Sequence, residues 1–335
     1  MRELQGLGFR ATEAPFEYST LPGRFATPLS GALGLIVVGA AGALAVAGDR
    51  HGAVLVAWLG SAAIAAAGWW LARFGVLSAP LLRARGVNLE FTKEGETPGV
   101  WLAAHLDSKS QPVPALVRSA GILVQVAGLL LALVLSAAGL AGVQVHDAFW
   151  AVTGLVTLAG AIPVVMSMTG DHSPGALDNA SGVAAVVAAA RALGDRPGVG
   201  VLLTDAEEMG LAGARAWARN RALTTVLNCD GVDDSGVITV MHSGGAERVL
   251  DAVARAASAT GTRAEMSRLF PGILTDSVAF ADAGHRSVTF SFGSIVSFAR
   301  VHTRGDNLDR LTGAGIAPTA ALMAATVRSL ERNAC

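Results

Sequence analysis

Two pairs of uncharged apolar runs constrain this chain more than anything else in it. A hydrocarbon core takes about 20 residues of helix to cross. The runs extend from Pro28 to about Gly48, from about Ala53 to Leu71, from about Ala120 to Val143 and from about Phe149 to Thr169. Short polar turns, Asp49-Arg50-His51 and Gln144-Val145-His146-Asp147, join them in pairs, so each pair reads as a helical hairpin with a solvated tip. Trp69, Trp70 and Arg73 close the second run and Phe149 and Trp150 open the fourth, a pattern of interfacial anchors. The alternative, two hairpins buried in a soluble core, is weak because four uncharged runs of this length are rare in soluble domains. About 27 mostly polar residues precede the first run and no small-residue cleavage pattern follows it, so it reads as a span and not a secretory signal.

Charged residues make up 15% of the chain, against about 25% in an ordinary soluble domain. The deficit falls in residues 28–80 and 115–170, and the rest reads as ordinary soluble protein. The formal net charge is −1, which leaves no basic footprint for nucleic acid. Positive charge is uneven along the hairpins. Their tips carry only Arg50, while the opposite side carries Arg2, Arg10, Arg24, Arg73, Arg83, Arg85, Lys93, Lys109 and Arg118. The positive-inside rule then places the N-terminus and the polar segments in the cytoplasm. Cys229 and Cys335 are too few for a disulfide framework, and Cys229 falls in a predicted strand as a core thiol.

The polar segments alternate strand and helix signals. Strands are expected over Gly86–Thr92, Gly99–Leu106, Gly198–Thr204, Thr224–Cys229, Val237–His242 and Ser287–Phe292. Helices are expected over Asn179–Leu193, Leu211–Arg219, Ala246–Ala257 and Ala317–Glu331. This alternation predicts an α/β domain with a largely parallel sheet. Open sheets of this kind gather ligands at the carboxyl ends of their strands. Here His105 closes one predicted strand, Glu207 and Glu208 follow another, and Asp230 closes a third.

Those residues, with Asp178 and His302, are a donor set for metal. Zinc takes imidazole nitrogen and carboxylate oxygen, and paired ions can clamp the attacking and leaving groups of a hydrolysis. The set divides into His105 and Asp230 for one ion and Glu208 and His302 for the other, with Asp178 between them. Three carboxylates and one hydroxide then balance two Zn²⁺. Glu207 is left beside them as general base, and Asp107 is placed to hold the His105 imidazole and fix its tautomer. Each piece alone has a plainer reading. A His-x-Asp is usually a surface accident, a Glu-Glu pair a solvated helix start, and an Asp-Asn-x-Ser-Gly a helix cap. The weight lies in the ordered set. His285 reads as structural and His242 likewise, His172 as a loop residue, and His51 and His146 as solvated tips.

With these residues in view, the chain resembles the co-catalytic di-zinc aminopeptidase family, which takes in bacterial leucine aminopeptidases, glutamate carboxypeptidases and glutaminyl cyclases. The matching stretches are Ala104–Ser108, Ser173–Val183, Asp205–Leu211, Leu227–Gly231, Thr275–Phe280 and His302–Asp309. Residues 4–20 also resemble the helix and strand that open the family's catalytic domain. The resemblance implies a three-layer α/β sandwich with a mixed, largely parallel sheet, two Zn²⁺ per chain, a peptide substrate and the roles just given. It makes the hairpins insertions, the second of them filling most of the gap between His105 and Asp178. The expected organisation is 1–27 opening helix and strand, 28–80 first transmembrane hairpin, 81–114 catalytic, 115–170 second hairpin, and 171–335 catalytic. The active-site loop after His105 is expected at the membrane face.

The function expected is therefore a membrane-embedded metallopeptidase with four transmembrane helices and a cytoplasmic catalytic domain. An aminopeptidase is favoured over a carboxypeptidase by family frequency. A catalytically silent scaffold of the same fold and a glutaminyl cyclase-like acyltransferase are the alternatives. A transporter fits poorly, since the runs hold almost no ionisable residue. Two departures from the family stand out. Val301 precedes the last histidine where some relatives carry an oxyanion-stabilising tyrosine, and the only tyrosine here is Tyr18. The usual Gly-Ile-Pro before a late strand is Gly284-His285-Arg286.

Overall fold

The structure, a computed structural model, describes residues 1–219, 221–269 and 273–331. Cys335 lies outside the described residues. Helix α1 (Arg2–Gly6) leads into strand β1 (Arg10–Ser19). Two long helices follow, α2 (Pro22–Val46) and α3 (Arg50–Ser78), and then β2 (Arg83–Thr92) and β3 (Val100–His105). A second long pair, α4 (Ala115–Leu140) and α5 (Asp147–Val165), precedes α6 (Ser181–Leu193) and β4 (Val199–Thr204). Next come α7 (Ala212–Ala218), β5 (Thr225–Val232), β6 (Val237–His242), α8 (Glu247–Thr260) and β7 (Ala264–Arg268). The chain closes with α9 (Asp276–Asp282), β8 (Arg286–Gly293), α10 (Ile295–Arg300) and α11 (Ile316–Glu331). These elements form two compact units, one from Met1–Tyr18, Arg83–Ser110 and Asp171–Cys335, the other from Ser19–Leu82 and Gln111–Gly170.

The first unit is organised by an eight-stranded sheet in the order β1-β2-β4-β3-β5-β8-β6-β7. Strands β4, β3, β5 and β8 run parallel to one another, as do β6 and β7, while β2 meets β4 and β6 meets β8 antiparallel. Side chains alternate between the faces of a strand. Leu102 and Ala104 of β3 therefore join Val186, Val253 and Met323 from α6, α8 and α11 on one face. Trp101 and Ala103 join Trp217 of α7 and Phe280 of α9 on the other. Helices thus cover both faces, giving a three-layer α/β sandwich. Because the inner strands are covered twice, their sequences are nearly continuous apolar runs, as in the fully buried β4. Burial of one side chain such as Phe290 stabilises the sandwich by about 1.5–3 kcal/mol.

Two local expectations change, and one strand was not anticipated. Helix α6 starts at Ser181 and not Asn179, since Asp178 and Asn179 have non-helical dihedrals. Asp230 does not close its strand, because β5 continues to Val232 after a register shift beyond Cys229. Strand β7, Ala-Glu-Met-Ser-Arg, has no apolar alternation to announce it, and it is a mostly exposed edge held by parallel pairing to β6. Cys229 is fully buried. His285 is a core histidine: its Nδ1 accepts the Thr224 N–H at 3.2 Å, and burial pushes its pKa down.

The second unit contains α2, α3, α4 and α5. Its interior is lined by small residues. On α4 the buried positions are Ala115, Gly121, Gln125, Gly128, Ala132 and Ser136, one face of the helix at steps of three, four or more residues. Small residues let helix backbones approach closely. A Cβ on Gly160 of α5 would lie 2.5 Å from the Gln125 backbone nitrogen and 2.7 Å from the Gly121 carbonyl oxygen. Gln125, the one amide side chain in the four runs, donates its Nε2–H to the Gly31 carbonyl at 2.7 Å and so links α4 to α2. The large apolar side chains point the other way, with Ile36, Leu59, Leu123, Val134 and Leu155 all more than 60% exposed.

Among the described residues, five helices are long and apolar enough to cross a membrane: α2, α3, α4, α5 and the segment Ala176–Leu193. The fifth is of another kind. It is 56% buried against 33% or less for the others, and its Val186 and Ala189 belong to the sheet core.

Candidate metal centre

The sheet delivers the first donor directly. His105 is the last residue of β3, and its Nδ1–H is held by the Asp107 main-chain carbonyl at 2.9 Å. That leaves Nε2 facing the site. The Asp107 carboxylate is turned to a different task. Its two oxygens accept the backbone N–H groups of Glu207 at 2.9 Å and Glu208 at 3.1 Å. The expected hold of this carboxylate on the imidazole is therefore mostly a main-chain hold, with Oδ1 3.6 Å from Nδ1. Asp107 ties the exit of β3 to the tight turn Glu207–Met209 that follows β4. Ala206 and Leu211 bracket this turn at φ +56° and +63°, a left-handed conformation few non-glycine residues adopt. Such strain is concentrated where a site dictates side-chain direction.

Asp178 precedes α6 and is also fixed by its backbone. The buried Asp306 accepts the N–H of Leu177 and of Asp178, the latter at 3.1 Å. Asn179 braces the neighbouring strand, donating to the Cys229 carbonyl at 2.9 Å and accepting the Gly231 N–H at 3.2 Å. Asp230 is thereby set in the irregular stretch of β5. His302 follows α10 with φ +65°. Sequence reasoning did not single out Asp306, although it lies four residues beyond His302 inside a matched stretch. A carboxylate that accepts only backbone N–H groups leaves no mark in residue type. Replacing Asp306 by Ala is expected to weaken metal binding roughly 10–100-fold, the usual cost of losing a group that orients a ligand. Metal content after dialysis measures it, and unaltered retention would refute the assignment.

The side chains converge in two groups. His105 Nε2 lies 3.0 Å from Asp178 Oδ1 and 3.5 Å from Asp230 Oδ1. His302 Nε2 lies 3.2 Å from Asp178 Oδ2 and 3.0 Å from Glu208 Oε1. Each oxygen of Asp178 thus addresses a different histidine. Within each trio the ligand atoms all lie within 4.8 Å of one another. Glu207 is buried next to Glu208 and within electrostatic reach of His105 and Asp230, and Asp276 lies fully buried with Thr204 donating to its Oδ2.

These groups are short of positive charge. Burial alone would push His105 down, but Asp107, Asp178 and Asp230 outweigh it and hold its pKa well above the ordinary value. His302 is raised likewise, Glu208 overcoming its burial. Burial also raises Glu207 well above the carboxylate range, with Glu208, Asp230 and Asp276 adding to the shift, and it takes Asp276 up to about 7. Despite burial, Asp178, paired with both histidines, and Glu208, beside Lys109 and His302, are held below the ordinary carboxylate range. Glu207, Asp230 and Asp276 resist ionising and the histidines hold protons, as in a site where carboxylates outnumber cations. Divalent ions would reverse both shifts. His105 Nε2 and Glu208 Oε1 are buried and have no hydrogen-bond partner among the described residues. The donor types, their convergence and these two open atoms fit a zinc-type metal.

Sequence comparison agrees with the fold. The profile of Peptidase family M28 matches residues 157–327, just over half of the chain. The chain belongs to that family. No curated protein sequence matches it. Among solved structures, the Porphyromonas gingivalis glutaminyl cyclase is similar at 15% identity, covering 99% of this chain and 86% of that one with a TM-score of 0.50. A zinc aminopeptidase from Bacillus subtilis matches at 19% identity over 72% of this chain and 49% of that one, TM-score 0.47. An aminopeptidase from Aneurinibacillus sp. strain AM-1 matches at 17% over 73% and 48%, TM-score 0.47. The chain spans about half the length of these two aminopeptidase structures.

Proposed function

We propose that this chain is a membrane-embedded metallopeptidase that holds two Zn²⁺ and releases N-terminal residues from peptides. The observation that carries the reading is the sharing of Asp178 between two His-carboxylate groups, with Glu207 buried next to Glu208 and within electrostatic reach of His105 and Asp230, in a chain of peptidase family M28. His105, Asp178 and Asp230 would hold one ion and Asp178, Glu208 and His302 the other. When bound, the ions supply Lewis-acid polarisation of the scissile carbonyl and of an attacking water. Glu207 takes a proton from that water as its oxygen bonds the carbonyl carbon. The same carboxyl then gives the proton to the amine nitrogen as the C–N bond breaks. Asp107 keeps the turn that carries Glu207 in register with His105.

Helices α2 to α5 are read as the membrane spans. Support comes from their length, their exposed apolar side chains and the small-residue packing between them. The excess of Arg and Lys on one side of the runs supports a cytoplasmic catalytic unit.

A panel of aminoacyl, dipeptide, N-blocked and N-terminal glutaminyl substrates tests the activity on purified protein, with and without chelator and zinc. Release of N-terminal residues that chelator stops and zinc restores is expected. Hydrolysis of N-blocked peptides alone would make it a carboxypeptidase, ammonia release from the glutaminyl peptide a cyclase, and no zinc-dependent turnover a scaffold.

A further inference from the structure

We propose that Lys109 makes the Asp178–Glu208–His302 position the weaker and later-filled of the two metal positions. The inference rests on the two-metal reading given above. Lys109 comes four residues after His105, in the segment leaving β3. A lysine there would ordinarily extend its ammonium into water. Instead its side chain is only 16% exposed, and Nζ lies 2.5 Å from Glu208 Oε2. Glu208 is itself buried, with a side chain 3% exposed. Its other oxygen, Oε1, is the one that faces His302.

The Glu208 carboxylate is thereby divided. One oxygen belongs to the donor group and the other to the ammonium, so a metal at this position can take the carboxylate through a single oxygen. Charge acts in the same direction. A fixed positive charge against a ligand repels an arriving divalent ion, and in a buried site water screens little of that repulsion. The partner position is built differently. Among the described residues, the ion pairs of His105, Asp178 and Asp230 run only among the site's own histidines and carboxylates, with no lysine or arginine. Two positions that share Asp178 are therefore unequal, and the inequality is carried by one side chain. The Asp178–Glu208–His302 position would fill only at higher free metal, which makes occupancy of the pair responsive to metal supply.

The test is a titration of metal-free, full-length protein in detergent with Co²⁺, followed by its visible absorption, and with Zn²⁺ by calorimetry. The wild-type chain is expected to bind in two separated steps. Glu208→Gln should remove the second step and so identify it. In Lys109→Met the second step should tighten roughly ten- to hundredfold while the first is unmoved. Lys109→Gln, which keeps a hydrogen-bond donor without the charge, should behave like Lys109→Met, and Lys109→Arg like wild type. If Lys109→Met distorts the fold, Lys109→Gln carries the comparison. A second step left unchanged, weakened or absent in both uncharged variants overturns the proposal. A wild-type chain and uncharged variants that all bind no metal overturn the two-metal reading, and the proposal with it.

Discussion

Glu207→Gln is expected to retain its metal and lose turnover, with kcat falling about 10³-fold, in the range that general acid–base catalysis supplies. The substitution is nearly isosteric, and the features that place residue 207 do not depend on its carboxylate. Its backbone N–H is held by Asp107 Oδ1, and the turn Glu207–Met209 is set by the conformations of Ala206 and Leu211. The amide should therefore occupy the same space without accepting the proton. Neither donor trio includes Glu207, so metal content should be unchanged. Parallel assays of kcat and bound metal separate the two roles. Full turnover in the variant would end the assignment of Glu207 as base, and loss of metal with turnover would recast it as a ligand.

Gly160→Ala should strongly destabilise the helical unit, while Gly154→Ala on the same helix should not. A Cβ at 160 meets backbone, 2.5 Å from the Gln125 nitrogen and 2.7 Å from the Gly121 oxygen, and no rotamer change relieves such a contact. Helices α4 and α5 would have to move apart. Overpacking typically costs about 1–3 kcal/mol, and a clash with main chain belongs at the upper end. At Gly154 a Cβ meets nothing within 4 Å, and the gain in helix propensity of about 1 kcal/mol is unopposed. Thermal unfolding of the two variants in one detergent gives the comparison. Equal melting temperatures would show that the close approach of α4 and α5 contributes nothing to stability.

Much of the sheet could be read in the sequence because its central strands are covered on both faces. Runs such as Val199–Thr204 have no polar alternation to confuse with a surface strand, and the expected limits are within a residue of those found. Strand β7 was hidden for the opposite reason. Its side chains are mostly exposed, and its place at the sheet edge depends on hydrogen bonds that any sequence can make. The donor residues announced themselves by type, since histidine and paired acids beside predicted strands are few in so apolar a chain. The groups that orient them did not. Asp306 acts on the Leu177 and Asp178 amides from more than a hundred residues away, and Lys109 reaches Glu208 across the site. In both cases the partner is fixed by tertiary position alone. Asp107 was visible as a residue, but its two bonds to the turn after β4 depend on β3 and β4 lying side by side.

The order of the donors along the chain has a consequence during synthesis. His105, Asp178 and Asp230 emerge before His302, and the Asp306 that braces Asp178 comes last of all. A growing chain that has reached β5 holds every residue of one trio and neither the final histidine nor the brace. Strand β8, which borders β5, is also still to come. The pair of trios becomes complete only after His302 and Asp306 have been made, once all eight strands have emerged. The paired arrangement therefore cannot exist in a nascent chain that lacks β8 and the segment after it.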